Sequence, residues 1–292
     1  FIIFYLKRVR RILPALLVVL LTTATASVFI LLVADINKFS ESILTSLGFV
    51  ANFYFWITGG YFSTSDELKP LLHLWSLSVE EQFYLFFPLF LIIILKAFKT
   101  LSAHIFFIIF AITVSYGLNI FFIFKGHYDP IFFLFPGRVW QFGVGALFAF
   151  LPNIKLKNIY LDSLYLIIAF GLILINFNST IKGLPAGTLL SIGSVMILYK
   201  LQNDKNQLFK FLNFKILIFI GLISYSLYLW HWPIISFLKY LSIGKLSYTY
   251  IFLALFLTFL FATLTWKYVE QPFIKSMSTG HVLISVSSGY LI

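Results

Sequence analysis

Leu68 to Pro88 reads LKPLLHLWSLSVEEQFYLFFP. It sets a histidine, two adjacent glutamates and a glutamine in the first half of an apolar run long enough to cross a bilayer, which takes about 20 helical residues. An ionisable side chain at the centre of such a helix costs about 2.5–3.5 kcal/mol on insertion, so the cluster calls for a function. His73, Ser76, Glu80 and Tyr84 recur at i, i+3, i+7 and i+11 and predict one stripe of a helix. Glu81 falls to one side of the stripe, and Pro88 predicts a kink below it. Two readings stand side by side. Glu80 and Glu81 are buried ion-pair partners that hold helices together, or they belong with His73 to a site.

Composition settles the class. The 292 residues are 61% hydrophobic and only 11% charged, with a mean hydropathy of +0.98. Soluble domains carry about 25% charged residues. The chain therefore reads as an all-α, polytopic transmembrane bundle. With no cysteine, disulfides and cysteine-based nucleophiles or metal sites are excluded. The net charge of +11 does not call for nucleic acid, because Lys and Arg collect in the cytoplasmic loops of membrane proteins. The chain opens mid-pattern with FIIFYLKRVRR and stops inside the apolar HVLISVSSGYLI, as a fragment of a longer protein is expected to. Residues 1–277 read as one transmembrane domain, and 278–292 as the start of a further apolar segment.

Apolar segments fall at about 12–33, 42–57, 73–95, 102–124, 132–151, 158–177, 184–200, 213–238 and 248–268. If all nine cross, the basic residues divide ten inside and eleven outside, which is no bias. If 42–57 is re-entrant or interfacial, they divide fourteen inside and seven outside, as the positive-inside rule requires. The expectation is eight full spans plus one re-entrant or interfacial segment. Counting residues from the inner-face lysines then places Glu80, Arg138 and His231 at one height, about 24–26 Å up at 1.5 Å per residue. They are expected to line one cavity.

The remaining polar residues each carry two readings. Arg8 and Arg11 anchor the chain at the cytoplasmic face or, three apart on a helix, bind phosphate with guanidinium forks. Arg138 and Gln141 sit inside an apolar run, either as a structural partner for a glutamate or in a substrate cavity. Gly143 and Gly145 suit close helix packing. ISYSLYLWHWP carries Ser224, Tyr225, Tyr228 and His231, which fit an interfacial aromatic belt or a site. Glu270 before Pro272 reads as a helix terminator paired with Lys267 or Lys275. No HExxH or close histidine pair is present, and no GxSxG elbow, so neither a metal nor a serine nucleophile is expected. What remains is carboxylate and imidazole chemistry beside arginines. It fits proton transfer to or from a hydroxyl and equally a proton-coupled transporter or flippase.

FYLKRVRRILPA, LKPLLHLWSLSVEEQFYLFFP, LFPGRVWQFGVGALFA and ISYSLYLWHWPII with the closing VEQPF occur in this order. Together they resemble the membrane-bound acyltransferase-3 family, in the bacterial branch often followed by an SGNH-like domain. The resemblance implies a multi-pass protein of the bacterial cytoplasmic (inner) membrane. It implies transfer of an acyl group, usually acetyl, from cytoplasmic acyl-CoA to a hydroxyl of an envelope carbohydrate or lipid-linked sugar, such as lipopolysaccharide, exopolysaccharide or peptidoglycan. The family's Arg-x-x-Arg motif falls on Arg8 and Arg11, which would hold the CoA. His73 and Glu80 match its central motif and would position or deprotonate the acceptor hydroxyl. Glu81, Tyr84, Arg138, Gln141 and His231 would line the substrate cavity. The sequence departs from the family in two ways. The two helices that precede the Arg motif, the first with a histidine proposed as catalytic, are not in this chain, and Gln141 stands where an acid is expected. A non-catalytic envelope assembly subunit is the third functional class.

Overall fold

The structure is a computed structural model that describes residues 2–59, 66–150, 159–178, 184–203, 213–242 and 246–275. Lys155, Lys157, Lys205, Lys210 and the segment 278–292 lie outside the described residues. Every regular element among those described is helical. The chain divides into two compact units, 1–48 with 61–74 and 213–292, and 49–60 with 75–212.

The first unit is built on α1 (Ile2–Ile30), α2 (Val33–Leu47), a short 3₁₀ turn (Asp66–Leu68), α10 (Lys215–Leu241) and α11 (Tyr248–Thr265). The buried face of α1 carries Ile12, Ala15, Leu16, Val19, Leu20, Thr23 and Ser27, at the three- and four-residue spacing of a helix stripe. Leu17, Leu21, Val28 and Phe29 are exposed on other faces, as lipid-facing residues are. Thr23 returns its hydroxyl to the carbonyl of Val19 at 2.6 Å, so no polar group is stranded in the stripe at that position. Tyr225 on α10 donates to the carbonyl of Ile12 at 2.9 Å. Tyr240 donates to Asp35 at 2.8 Å and accepts from the amide of Leu32 at 3.0 Å, which ties the far end of α10 to the start of α2.

The second unit contains α3 (Ala51–Thr58), α4 (Leu74–Ala97) from Trp75 onward, α5 (Leu101–Phe124), α6 (Asp129–Phe133), α7 (Val139–Phe148), α8 (Ile159–Asn178) and α9 (Thr188–Asn203). The expected span at 132–151 is broken. Pro130 opens α6, and Pro136 and Gly137 make a 3₁₀ turn before α7. Gly137 is obligatory there, since a Cβ would stand 2.2 Å from the carbonyl oxygen of Ile131. Irregular backbone at membrane depth needs its polar groups covered by protein. Here α5 covers them: Ser115 donates to the carbonyl of Pro136 at 2.6 Å, and Asn119 to that of Gly137 at 2.8 Å. Gly143 packs tightly, with Ile112 2.7 Å from the place of a Cβ, whereas Gly145 faces open space, so only one of the two expected packing glycines is used for packing.

Five helices are long and apolar enough to cross a membrane: Ile3–Ile30, Leu74–Ala97, Leu101–Phe124, Lys215–Leu241 and Tyr248–Lys275. Three more apolar helices are shorter, Val139–Phe148, Ser163–Ile175 and Thr188–Leu201. The chain is a multi-pass helical membrane protein, with five helices of spanning length among the described residues. The expected re-entrant segment at 42–57 is two helices, since α2 starts at Val33 and ends before Phe49, whose φ of 51° breaks the run. Helix α4 continues through Pro88.

Candidate functional site

In the first unit the polar residues gather around α10. Its segment Tyr228–Pro233 reads YLWHWP. Pro233 has no N–H and so gives none to the carbonyl of Leu229. His231 turns back along its own helix and places Nδ1 2.6 Å from the carbonyl of Tyr228. A carbonyl only accepts, so Nδ1 carries the proton, and in the neutral ring Nε2 keeps the lone pair. His73 is next to it. The two imidazoles meet edge to face with centroids 5.3 Å apart, and the Tyr228 ring lies 5.2 Å from His73. The Tyr228 hydroxyl donates to the backbone carbonyl of His73. His73 is 7% exposed, and neither ring nitrogen has a hydrogen-bond partner among the described residues. The turn that carries it is fastened to α10 twice more: Trp232 Nε1 donates to the carbonyl of Lys69 at 2.9 Å, and Lys239 pairs with Glu67 at 2.6 Å. His73 precedes α4, which begins at Leu74. The expected helical stripe therefore loses its first member, which is a turn residue held against α10.

Toward the other end of α10, Ser226 is fully buried and donates to Glu270, itself 3% exposed. Glu270 closes a π-helical turn, Trp266–Glu270, and such turns are frequent at functional sites. The carboxylate lies within electrostatic reach of Arg11. The expected partners were Lys267 or Lys275; Ser226 and Arg11 are what the structure places at this carboxylate. Helix α1 runs unbroken from Ile2, so Arg8 and Arg11 are surface neighbours one turn apart. Trp230 Nε1 donates to Thr265 at 2.9 Å and fixes α10 to α11 beside this cluster.

The second unit holds the rest of the predicted residues. Tyr84 donates to Glu80 at 2.8 Å, the i, i+4 relation that the stripe predicts. Glu81 is half-buried on the same helix. Gln82 ties three elements together. It donates to the carbonyl of Phe49 at 3.0 Å and to Asn52 at 2.9 Å, and Asn52 also donates to the carbonyl of Phe133 at 3.2 Å. Arg138 donates through Nε to the carbonyl of Phe132 at 2.9 Å, and its guanidinium lies over the rings of Phe132 and Trp75, 4.7 and 5.1 Å from their centroids. Its Nη1 reaches Gln141 at 3.3 Å, and Gln141 in turn donates to the carbonyl of Ala186 at 3.2 Å. The three residues of the expected layer thus divide, His231 in the first unit and Glu80 and Arg138 in the second. Among the described residues no group of three or more His, Asp or Glu side chains is placed to hold a metal.

Two polar clusters around α10, a histidine pair and a buried carboxylate within electrostatic reach of Arg11, call for comparison with known families. The model of the acyltransferase domain matches residues 1–267. The chain belongs to the acyltransferase-3 family. Within that family, a Staphylococcus aureus (strain COL) protein named "Putative O-acetyltransferase" is 33% identical over 93% of this chain and 47% of its own length. O-acetyltransferase OatA of Staphylococcus aureus (strain NCTC 8325) is 28% identical over 93% of this chain and 47% of its own. An uncharacterised protein of Haemophilus influenzae is 35% identical over 53% of this chain and 64% of its own. The chain spans about half the length of the curated O-acetyltransferases it matches. No solved structure matches it. Sequence reasoning singled out Tyr228 but missed Ser226 and Asn52 as fixing residues. Only the buried-polar rule would have found those two, because each is a small polar residue in an apolar helix.

Proposed function

We propose that the protein of which this chain is a part is a membrane O-acyltransferase. It takes an acyl group, acetyl in the first instance, from cytoplasmic acyl-CoA and passes it to a hydroxyl of a cell-envelope carbohydrate or lipid-linked sugar. The observation that carries the reading is the family match over residues 1–267. In this reading Arg8 and Arg11 hold the CoA phosphates at the cytoplasmic face of the bacterial inner membrane, since adjacent guanidinium forks suit phosphate oxygens. His73 and Glu80 serve the acceptor hydroxyl, and Glu81, Tyr84, Arg138, Gln141 and His231 belong to the substrate cavity. The three shorter apolar helices cross with the five long ones, and 42–57 does not. The reaction joins the hydroxyl oxygen to the acyl carbon as the thioester C–S bond breaks, and the hydroxyl proton must leave through a base. The test is mass spectrometry of envelope glycans from cells with and without the gene. A loss of O-acyl groups on deletion, restored by the full-length gene, is the expected result. Identical glycans would remove the reading.

A further inference from the structure

Arg138 is a cation to which the described residues of the second unit bring no counter-charge. Its Nε donates to the carbonyl of Phe132 at 2.9 Å and its Nη1 to Gln141 at 3.3 Å, and both acceptors are neutral. No carboxylate of the described residues lies within reach of the guanidinium. The rings of Phe132 and Trp75, with centroids 4.6 Å apart, lie against it. Of its five N–H groups, those on Nη2 donate to nothing among the described residues, and the side chain is half-buried rather than walled in. A cation–π contact offsets only part of the cost of taking a guanidinium out of water. The position adds a second mismatch. Arg138 immediately precedes α7, and a helix N-terminus carries partial positive charge, which favours an anion there and not a cation. Gln141 does not supply the missing charge. Its amide is neutral, and its Nε2 donates to the carbonyl of Ala186 at 3.2 Å, beside Gly187, where a Cβ would stand 3.2 Å from that nitrogen. The neighbouring surface is apolar. Pro136, in the turn before Arg138, is exposed, and the ring of Phe135 lies 5.7 Å from that of Phe86, which is 51% exposed, as lipid-facing residues are.

We propose that Arg138 binds a lipid phosphate: its unused N–H groups donate to the non-bridging oxygens of an anionic phospholipid headgroup, and the acyl chains run along Phe135, Pro136 and Phe86. A phosphodiester supplies what the position lacks, a negative charge and acceptor oxygens at the spacing of the guanidinium fork. The apolar surroundings select the source. A free phosphate ion would have to leave its hydration for a seat of aromatic rings, whereas a lipid headgroup arrives with chains that bury the exposed apolar side chains. A zwitterionic headgroup brings its own ammonium group, which the guanidinium and the helix N-terminus repel. Binding of this kind ties α7 and the turn Phe135–Gly137 to the bilayer, and it makes the stability of the second unit depend on anionic lipid. It goes beyond the transfer reaction, since the phosphate is bound and not consumed.

The test uses the full-length protein in detergent, with phosphatidylglycerol as the probe and phosphatidylcholine and inorganic phosphate as comparisons. Retained lipid is counted by native mass spectrometry, and binding is titrated through the rise in Tm that a ligand of the folded state causes. Arg138→Gln removes the charge. Gln141→Glu gives up the bond to Ala186 but places a carboxylate where the amide accepts from Nη1, and so supplies the counter-charge from within. Each is expected to weaken phosphatidylglycerol binding by about tenfold or more, the scale of one charge-assisted hydrogen bond. Lys125→Gln removes an exposed cation elsewhere in the second unit and is expected to bind as the native protein does. Native binding in both Arg138→Gln and Gln141→Glu would overturn the proposal. An equal loss in Lys125→Gln would overturn it in favour of a general attraction between basic protein and anionic lipid. A response to phosphatidylcholine or to inorganic phosphate as strong as that to phosphatidylglycerol would overturn the assignment of an anionic lipid. If Arg138→Gln does not fold, Gln141→Glu decides. Binding is read with no acyl donor present, so the outcome is independent of the acyltransferase reaction.

Discussion

Gly137→Ala tests whether the turn before α7 is built as described. The added methyl carbon would lie 2.2 Å from the Ile131 carbonyl oxygen and 2.8 Å from the Cα of the same residue. All of these are main-chain atoms of α6, so no side-chain rotation relieves the contact. Overpacking a well-packed site costs about 1–3 kcal/mol, and a backbone clash of this depth belongs at the upper end. A loss of about 3 kcal/mol is roughly a hundredfold in the folding equilibrium, at 1.4 kcal/mol per factor of ten. The turn carries more than itself. If it moves, the bonds from Ser115 and Asn119 to Pro136 and Gly137 stretch, and Arg138 loses its seat between Phe132 and Trp75. Gly145→Ala is the matched control: further along α7, with nothing within 4 Å of the new carbon, it should be neutral or stabilise the helix by about 0.5–1 kcal/mol. Thermal unfolding of the two variants in detergent, followed by fluorescence-detected gel filtration, gives the comparison. Equal midpoints for Gly137→Ala and Gly145→Ala would refute the turn geometry.

Ser226→Ala removes the donor that the buried Glu270 carboxylate accepts from; a loss of about 1.5–3 kcal/mol, typical of a hydrogen bond to a charged group, is expected in the same unfolding assay, and an unchanged midpoint would deny that the bond exists. Arg8→Lys and Arg11→Lys keep the charge but lose the fork; equilibrium binding of acetyl-CoA to the full-length protein should weaken by about tenfold or more, the scale of one charge-assisted hydrogen bond, while membrane insertion stays normal. Unchanged binding in both would reduce the pair to a topology signal. Cysteines placed at Lys38 and at Glu67 in this cysteine-free chain should both react with an impermeant thiol reagent added outside the cell. Reaction at only one of them would mean that the chain crosses between the two positions.

Helix content and the membrane class are legible in the sequence because they rest on composition and on runs of apolar residues, which survive any local detail. The i, i+4 relation of Glu80 and Tyr84 is legible for the same reason, since it depends only on helical period. Span boundaries are less so. Hydropathy sums over 132–151 do not register that Pro136 and Gly137 break the backbone, and an apolar count gives the same total for a broken helix as for a straight one. The apolar run continues through His73 and so reads as part of α4, whereas Lys69 and Glu67 hold the turn against α10 by long-range contacts that no local window contains. Nearness in sequence pairs Glu270 with lysines, but its hydrogen-bond donor is Ser226, 44 residues away. Arg138 stands out in the sequence as a buried cation. Its observed contacts are two aromatic faces, a glutamine and a carbonyl, and aromatic rings are too common in this chain to flag a cation–π seat.

The most direct measurement is transfer itself. Full-length protein, purified into lipid nanodiscs, is mixed with acetyl-CoA labelled in the acetyl group and with membrane-derived glycan from cells lacking the gene. The account predicts label on glycan hydroxyls, dependent on protein and on acetyl-CoA, with one free CoA thiol released per acetyl group moved. Release of CoA without labelled glycan, or no release at all, would contradict it.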